Sequence, residues 1–253
     1  MRNLKITLSY DGSEFHGWQV QPGRATLQGT LADALQRVTS EHRLPEGSGR
    51  TDAGVHALAQ VATWQTTSPI PEANLVIALN DTLPPSIRVL RIEEVRADFH
   101  ARGSARAKTY RYHIYRGYIC PPFLARYVYH HPYPLDEAAM AEAAARVEGE
   151  HDFTSFAAVD PDRSARLEQQ EGSNVRTIFA SAWQRCGEEF VYTVRGSGFL
   201  HHMVRNLVGT FLLVGKGSLT ASDIPRILEA RSRSANPGAT APGSGLYLVS
   251  VEY

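Results

Sequence analysis

The feature that most constrains the fold of this chain is a hydrophobic pattern that switches, twice over, between period two and helical spacing. In LKITLSY (4–10), Leu4, Ile6, Leu8 and Tyr10 face one side while Lys5, Thr7 and Ser9 face the other, the pattern of a strand with one buried face. Asp11-Gly12 ends that strand. Leu27, Leu31, Leu35 and Val38 then recur at helical spacing and predict an amphipathic helix over about 26–42. After the turn GSGRTDAG, residues 55–64 read as a strand. PEANLVIALND reads as a short helix with Pro71 near its start, and 87–95 as another strand. The order to this point is βαβαβ.

A comparable order follows. KTYRYHIYR (108–116) predicts a strand, and 136–149 predicts a helix with Asp136 as its cap and Gly149 past its end. NVRTIFASAW and EEFVYTVRG predict an antiparallel pair. Helical spacing covers about 200–214, Thr220 with Asp223 reads as a capping box opening a further helix, and 245–253 closes the chain as a strand. Two α+β halves, 1–103 and 104–253, are therefore expected, with a cleft between them and no internal sequence repeat to prove a duplication. The stretch 159–174 is polar and aperiodic and predicts an exposed, mobile loop.

Several functional classes are disfavoured. The amino terminus enters the strand pattern with no basic cap and apolar leader, and no apolar run is long enough to span a bilayer, so a cytoplasmic, non-membrane protein is expected. Cys120 and Cys186 belong to no CxxC or His-rich pattern and read as free thiols, not a zinc site. The 26 basic and 26 acidic residues cancel, which argues against coating nucleic acid through bulk positive charge. Their distribution is uneven, however. Eight Lys/Arg face three acids over 88–116, whereas ten acids face three arginines over 136–171. Such runs fit solvated faces, or one basic surface for a polyanion with the acidic segment turned away.

Chemistry concentrates in GSGRTDAGVHA (47–57). Its glycines permit a tight turn and close approach, so the turn could present Asp52 to a ligand, or Asp52 could simply bond to its own backbone. In FLHHMVRNLVG, Met203, Val204, Leu207, Val208 and Phe211 form an apolar stripe with Arg205 at its flank. That guanidinium could reach solvent or reach back over buried surface. Paired with Asp52 it would keep the carboxylate ionised at neutral pH, which suits a nucleophile or base and excludes a general acid. His201 and His202 lack HxxxH spacing and face different ways on a helix, so no metal site is expected there. In KTYRYHI, Tyr110 and Tyr112 share one strand face and Arg111 takes the other. Tyr110 could stack on a base or pack in the core. No phosphate-binding glycine loop and no GxSxG elbow is present.

With YDGSEFHGWQVQPGRATLQGTL, GSGRTDAGVHA, DFHARGSARAKTYRYHIY, GEHDFTSF, NVRTI, FLHHMVRNLVG and APGSGLYLVSVEY in this order, the sequence resembles the tRNA pseudouridine synthase A family from end to end. The resemblance implies the pseudouridine synthase fold, two ferredoxin-like α/β halves with a mostly antiparallel central sheet. It implies an isomerase that converts uridine to pseudouridine in the tRNA anticodon stem-loop, at positions 38, 39 or 40, without a cofactor or metal. Asp52 would be the catalytic carboxylate, Arg205 its ion-pair partner, Tyr110 the ring stacking on the target uracil, and Arg50 the residue helping to displace the nucleotide. A homodimer with tRNA crossing both subunits is implied too, with Arg102, Arg106, Lys108 and Arg111 on the RNA surface. Departures from the family pattern are the long, charged 159–174 loop and Ser244 before GLYL. Two alternatives are a non-catalytic RNA-binding module of the same fold and a carboxylate-dependent phosphohydrolase. The latter needs several converging acids, and only one well-placed aspartate is visible.

Overall fold

The computed structural model describes residues 1–158 and 173–253, so the expectation for 159–174 falls almost wholly outside the described residues. The chain divides into two compact units, Met1–Lys108 with Tyr247–Tyr253, and Thr109–Leu246. The class is α+β, as the alternating periods predict, with the mostly antiparallel pairing that the family resemblance implies.

In the first unit the strands run in the order β4-β1-β3-β10, with a short β2 (Glu46–Gly47) on β3. β1 (Arg2–Tyr10) lies antiparallel between β3 (His56–Thr66) and β4 (Ile87–Val95). β10 (Leu246–Glu252) adds in parallel on β3, pairing Tyr247 with His56. The predicted face of β1 is the buried one, with Leu4, Ile6 and Leu8 fully enclosed and Tyr10 nearly so. α1 (Leu27–Thr39) opens on Thr26, whose side chain accepts the Gly29 N–H, and ends at Ser40 in the left-handed conformation. It buries Leu27, Leu31 and Leu35, each contributing about 1.5–3 kcal/mol. α2 (Glu72–Thr82) packs on α1 and on β4. Two bonds tie the last residues into this unit: Arg106 N–H to Glu252 O (2.8 Å) and Tyr253 O–H to Ala101 O (2.9 Å).

In the second unit the order is β5-β9-β8-β7, with a two-residue β6 (Tyr129–His130) parallel to β5 (Ala107–Tyr115). β8 (Val175–Cys186) and β9 (Glu189–Gly196) form the expected antiparallel pair, turned at Gly187 with φ +58°. α3 is shorter than its sequence predicts. Asp136 caps it as expected, accepting the Ala139 N–H at 2.9 Å, but the helix spans only Glu137–Ala145. Gly149, at φ +100°, opens β7 (Gly149–Asp152) instead of trailing a helix, because those residues gain a ladder against Val175–Ile178 of β8. α4 (Met203–Gly215) lays its apolar stripe into a core with Trp183, Tyr192 and Phe211 in mutual ring contact. α5 (Asp223–Glu229) follows, where the Asp223 carboxylate accepts the Thr220 N–H at 2.7 Å, one half of the expected capping box. Among the described residues, no helix is long and apolar enough to cross a membrane.

Candidate active site

The turn bearing Asp52 starts from β2 and returns to β3. Ser48 N–H donates to Val61 O (2.7 Å), and Val55 N–H closes the turn on Asp52 O (3.2 Å). Beneath it lies the fully buried amide of Gln60. Its Oε1 accepts from Ser48 Oγ (2.7 Å) and its Nε2 donates to Gly49 O (3.0 Å). The Tyr10 hydroxyl, buried and therefore raised in pKa, lies 2.9 Å from Thr51 Oγ1. Thr51 is held through its backbone as well, since Trp18 N–H donates to its carbonyl (2.9 Å). Asp52 itself is half-buried, as is Arg50.

A second segment, residues 11–19, presses on the turn from outside it. A Cβ on Gly12 would stand 2.0 Å from Val55 O, and one on Gly17, whose φ is +84°, would stand 2.7 Å from Thr51 O. Only glycine fits at either place. His56 Nδ1 lies 3.1 Å from Gly12 N and 3.2 Å from an Asp11 carboxylate oxygen, and its ring stacks on Tyr247 at 4.8 Å. None of Gly12, Gly17, Gln60 or Tyr10 emerges from the sequence as a site residue. The signals available were DG ending β1, which reads equally as an ordinary strand end, and the segment YDGSEFHGW, which marks the family resemblance without assigning these residues a role.

The basic residues expected on an RNA surface divide. Arg102, Arg106 and Arg111 are exposed. Lys108 is half-buried, and its ammonium donates to Ser48 O at 2.6 Å, at the base of the turn. A Cβ on Gly49 would stand 2.9 Å from Lys108 Nζ, so a side chain there would displace the end of the lysine.

In the second unit, Tyr110 and Tyr112 are both buried on β5 and Arg111 is turned out, as strand alternation predicts. Phe199 meets Tyr110 in a T-shaped contact with centroids 5.0 Å apart. The Tyr112 hydroxyl donates to Pro242 O (2.9 Å); burial pushes its pKa up, against the opposing charge of Arg205. Arg205 is clamped to one residue twice: its Nε donates to Ala241 O (2.7 Å), and its own carbonyl accepts the Ala241 N–H (3.2 Å). The Ala241 strap is fixed in turn by Thr240 Oγ1 donating to Asn206 Oδ1 (2.7 Å), while Asn206 Nδ2 donates to Phe156 O (2.7 Å). A guanidinium oriented in this way can hold an anion with little loss of side-chain freedom. His202 precedes α4 in the left-handed conformation, its ring 3.9 Å from that of His201.

Residues 6–102 and 143–253 match a family model described as tRNA pseudouridine synthase. The chain is 54% identical over 254 residues to a protein of Solibacter usitatus strain Ellin6076, with both chains covered completely. It is 46% identical to one from Moorella thermoacetica, covering 99% of each, and 42% identical to one from Caldicellulosiruptor saccharolyticus, covering 100% of each. All three relatives carry the name tRNA pseudouridine synthase A.

Proposed function

The chain belongs to the tRNA pseudouridine synthase family, and from that premise we propose how its residues perform the reaction. It is an isomerase that converts uridine to pseudouridine in tRNA. The N-glycosidic bond breaks, the uracil turns in place, and C5 joins the sugar while its proton is lost and N1 gains one. Nothing is oxidised or hydrolysed. The chemistry therefore asks for a group that attacks or deprotonates, and a pocket that retains a detached base.

Asp52 is the carboxylate that attacks the sugar or base, or removes a sugar proton. Arg205 is its ion-pair partner, Tyr110 stacks on the target uracil, and Arg50 helps to displace the nucleotide from its stem. Stacking worth about 1–3 kcal/mol offsets much of the few kcal/mol of unstacking that extrusion costs. The observation that carries this reading is the pinning of the Asp52 turn, through Ser48, Gly49 and Thr51, to buried polar groups of its own unit. Such a support holds a reactive group at a set place.

The target is the anticodon stem-loop, at positions 38, 39 or 40, and the protein acts in the cytoplasm as a homodimer. Two chains pooling Arg102, Arg106 and Arg111 reconcile RNA binding with a net charge of zero, while Lys108, whose ammonium donates to Ser48 O, supports the turn instead. The test incubates unmodified tRNA with wild type and Asp52→Asn and maps pseudouridine by carbodiimide-dependent primer-extension stops. Stops at 38–40 are expected with wild type only, with Asp52→Asn still binding tRNA in a gel shift. Stops produced by Asp52→Asn would remove its catalytic role, and stops elsewhere would remove the anticodon assignment.

A further inference from the structure

Strand β3 spends a fully buried position, Gln60, on a primary amide, where an apolar residue would pack at no polar cost. Its neighbours Val61, Ala62 and Trp64 are all buried and apolar. An amide at such a place stabilises only if its hydrogen-bonding capacity is filled, and here it is. Oε1 accepts from Ser48 Oγ (2.7 Å) and from Val61 N–H (3.1 Å), while Nε2 donates to Gly49 O (3.0 Å) and to the Tyr10 hydroxyl (3.4 Å). The backbone N–H of Val61 can only donate and the carbonyl of Gly49 can only accept, so the amide has a single allowed orientation. Tyr10 relays the connection to Thr51 Oγ1 at 2.9 Å. One side chain on a rigid strand thus reaches residues 48 and 49 directly and 51 through one phenol, three of the four residues that lead into Asp52.

We propose that Gln60 is the positioning residue of the active site: its amide, with Tyr10 as relay, sets the height and orientation of the turn that delivers Asp52. This rests on the catalytic role of Asp52 proposed above. Gln60 touches no substrate and acts only through the turn. Because a displacement of about 1 Å in a reacting group can cost on the order of 100-fold in rate, the fixed amide matters to turnover beyond its share of stability.

Gln60→Glu is the discriminating variant. It keeps the shape and the acceptor to Ser48 and Val61, but sets a carboxylate oxygen against Gly49 O. Burial pushes the introduced carboxyl's pKa up, so we expect kcat for tRNA to fall roughly 10- to 100-fold at alkaline pH, where it ionises, with KM changed less than about twofold. Hydrogen–deuterium exchange across residues 47–57 should quicken while the rest of the protein stays protected. As pH falls, kcat relative to wild type should recover, since a protonated Glu at 60 donates to Gly49 O as the amide did. Gln60→Met should show the loss without the recovery. Wild-type exchange and kcat in Gln60→Met, or a loss carried by KM alone, would overturn the proposal. Should Gln60→Glu not fold, Tyr10→Phe removes only the relay. It is expected to lower kcat roughly 3- to 10-fold with quickened exchange at 47–57, and wild-type values of both would be equally fatal. The exchange measurement keeps the two readings apart: a fully active Asp52→Asn would remove the catalytic aspartate, yet quickened exchange would still mark Gln60 as holding the turn.

Discussion

His131 is 3% exposed, and Lys216 and Arg116 set positive charge beside it. Arg116 Nη1 lies 3.2 Å from its Nδ1, and burial first, then Lys216 and Arg116, hold its pKa below the usual histidine value. A histidine kept neutral in the fold binds fewer protons than in the unfolded chain. Its contribution to stability is therefore complete above the unfolded pKa of about 6.5 and is lost as pH falls from there toward the folded value. Thermal melting followed from about pH 7.5 to 5 should show Tm dropping through the lower part of that range, and His131→Gln should flatten the drop. Equal slopes in both proteins would contradict this. Nothing in HHPYP distinguishes buried His131 from exposed His130. GSGRTDAG, by contrast, announces its turn by composition, yet Gly12 and Gly17 press on it from a segment some forty residues upstream, beyond any local pattern.

The element that does most to orient a candidate site residue is α4, through the strap 236–242 laid against it. A Cβ on Gly209 would lie 1.7 Å from Ala239 O, and one on Gly238 would lie 2.5 Å from Thr210 Oγ1, so strap and helix meet backbone to backbone. Gly209→Ala should push the strap off the helix, costing about 1–3 kcal/mol in denaturant unfolding and lowering kcat as Ala241 releases Arg205. Gly103→Ala, whose Cβ would meet nothing nearer than 3.7 Å, should fall within about 0.5 kcal/mol of wild type. The same free energy of unfolding for both variants would show that the strap yields freely. The stripe of α4 is legible from its spacing, and β1 and β4 from their alternation. α3 is overextended in sequence because alanine-rich residues favour helix locally, while the gain from pairing Gly149–Asp152 with β8 arises only once β8 is in place.

Across the whole molecule, 26 positive and 26 negative charges cancel, so tRNA must be met by their placement. Arg102, Arg106 and Arg111 are exposed and carry the prediction, whereas Lys108 is set apart because its ammonium already serves Ser48 O. Replacing the three arginines by glutamine should weaken tRNA binding and reduce its salt slope by about one for each phosphate no longer neutralised, with kcat at saturating tRNA little changed. Titrations at several salt concentrations returning the wild-type affinity and slope would remove these residues from the RNA surface. Taken by itself, the sequence determined the order of elements, the α+β class, the turn that holds Asp52 and the family, because periodicity, punctuation and motif order are properties of neighbours along the chain. Only the tertiary structure decided which buried polar groups meet. Gln60 finds Tyr10 across 50 residues and Arg205 finds Ala241 across 36, because a buried hydrogen bond is satisfied by proximity in space, which no local pattern specifies.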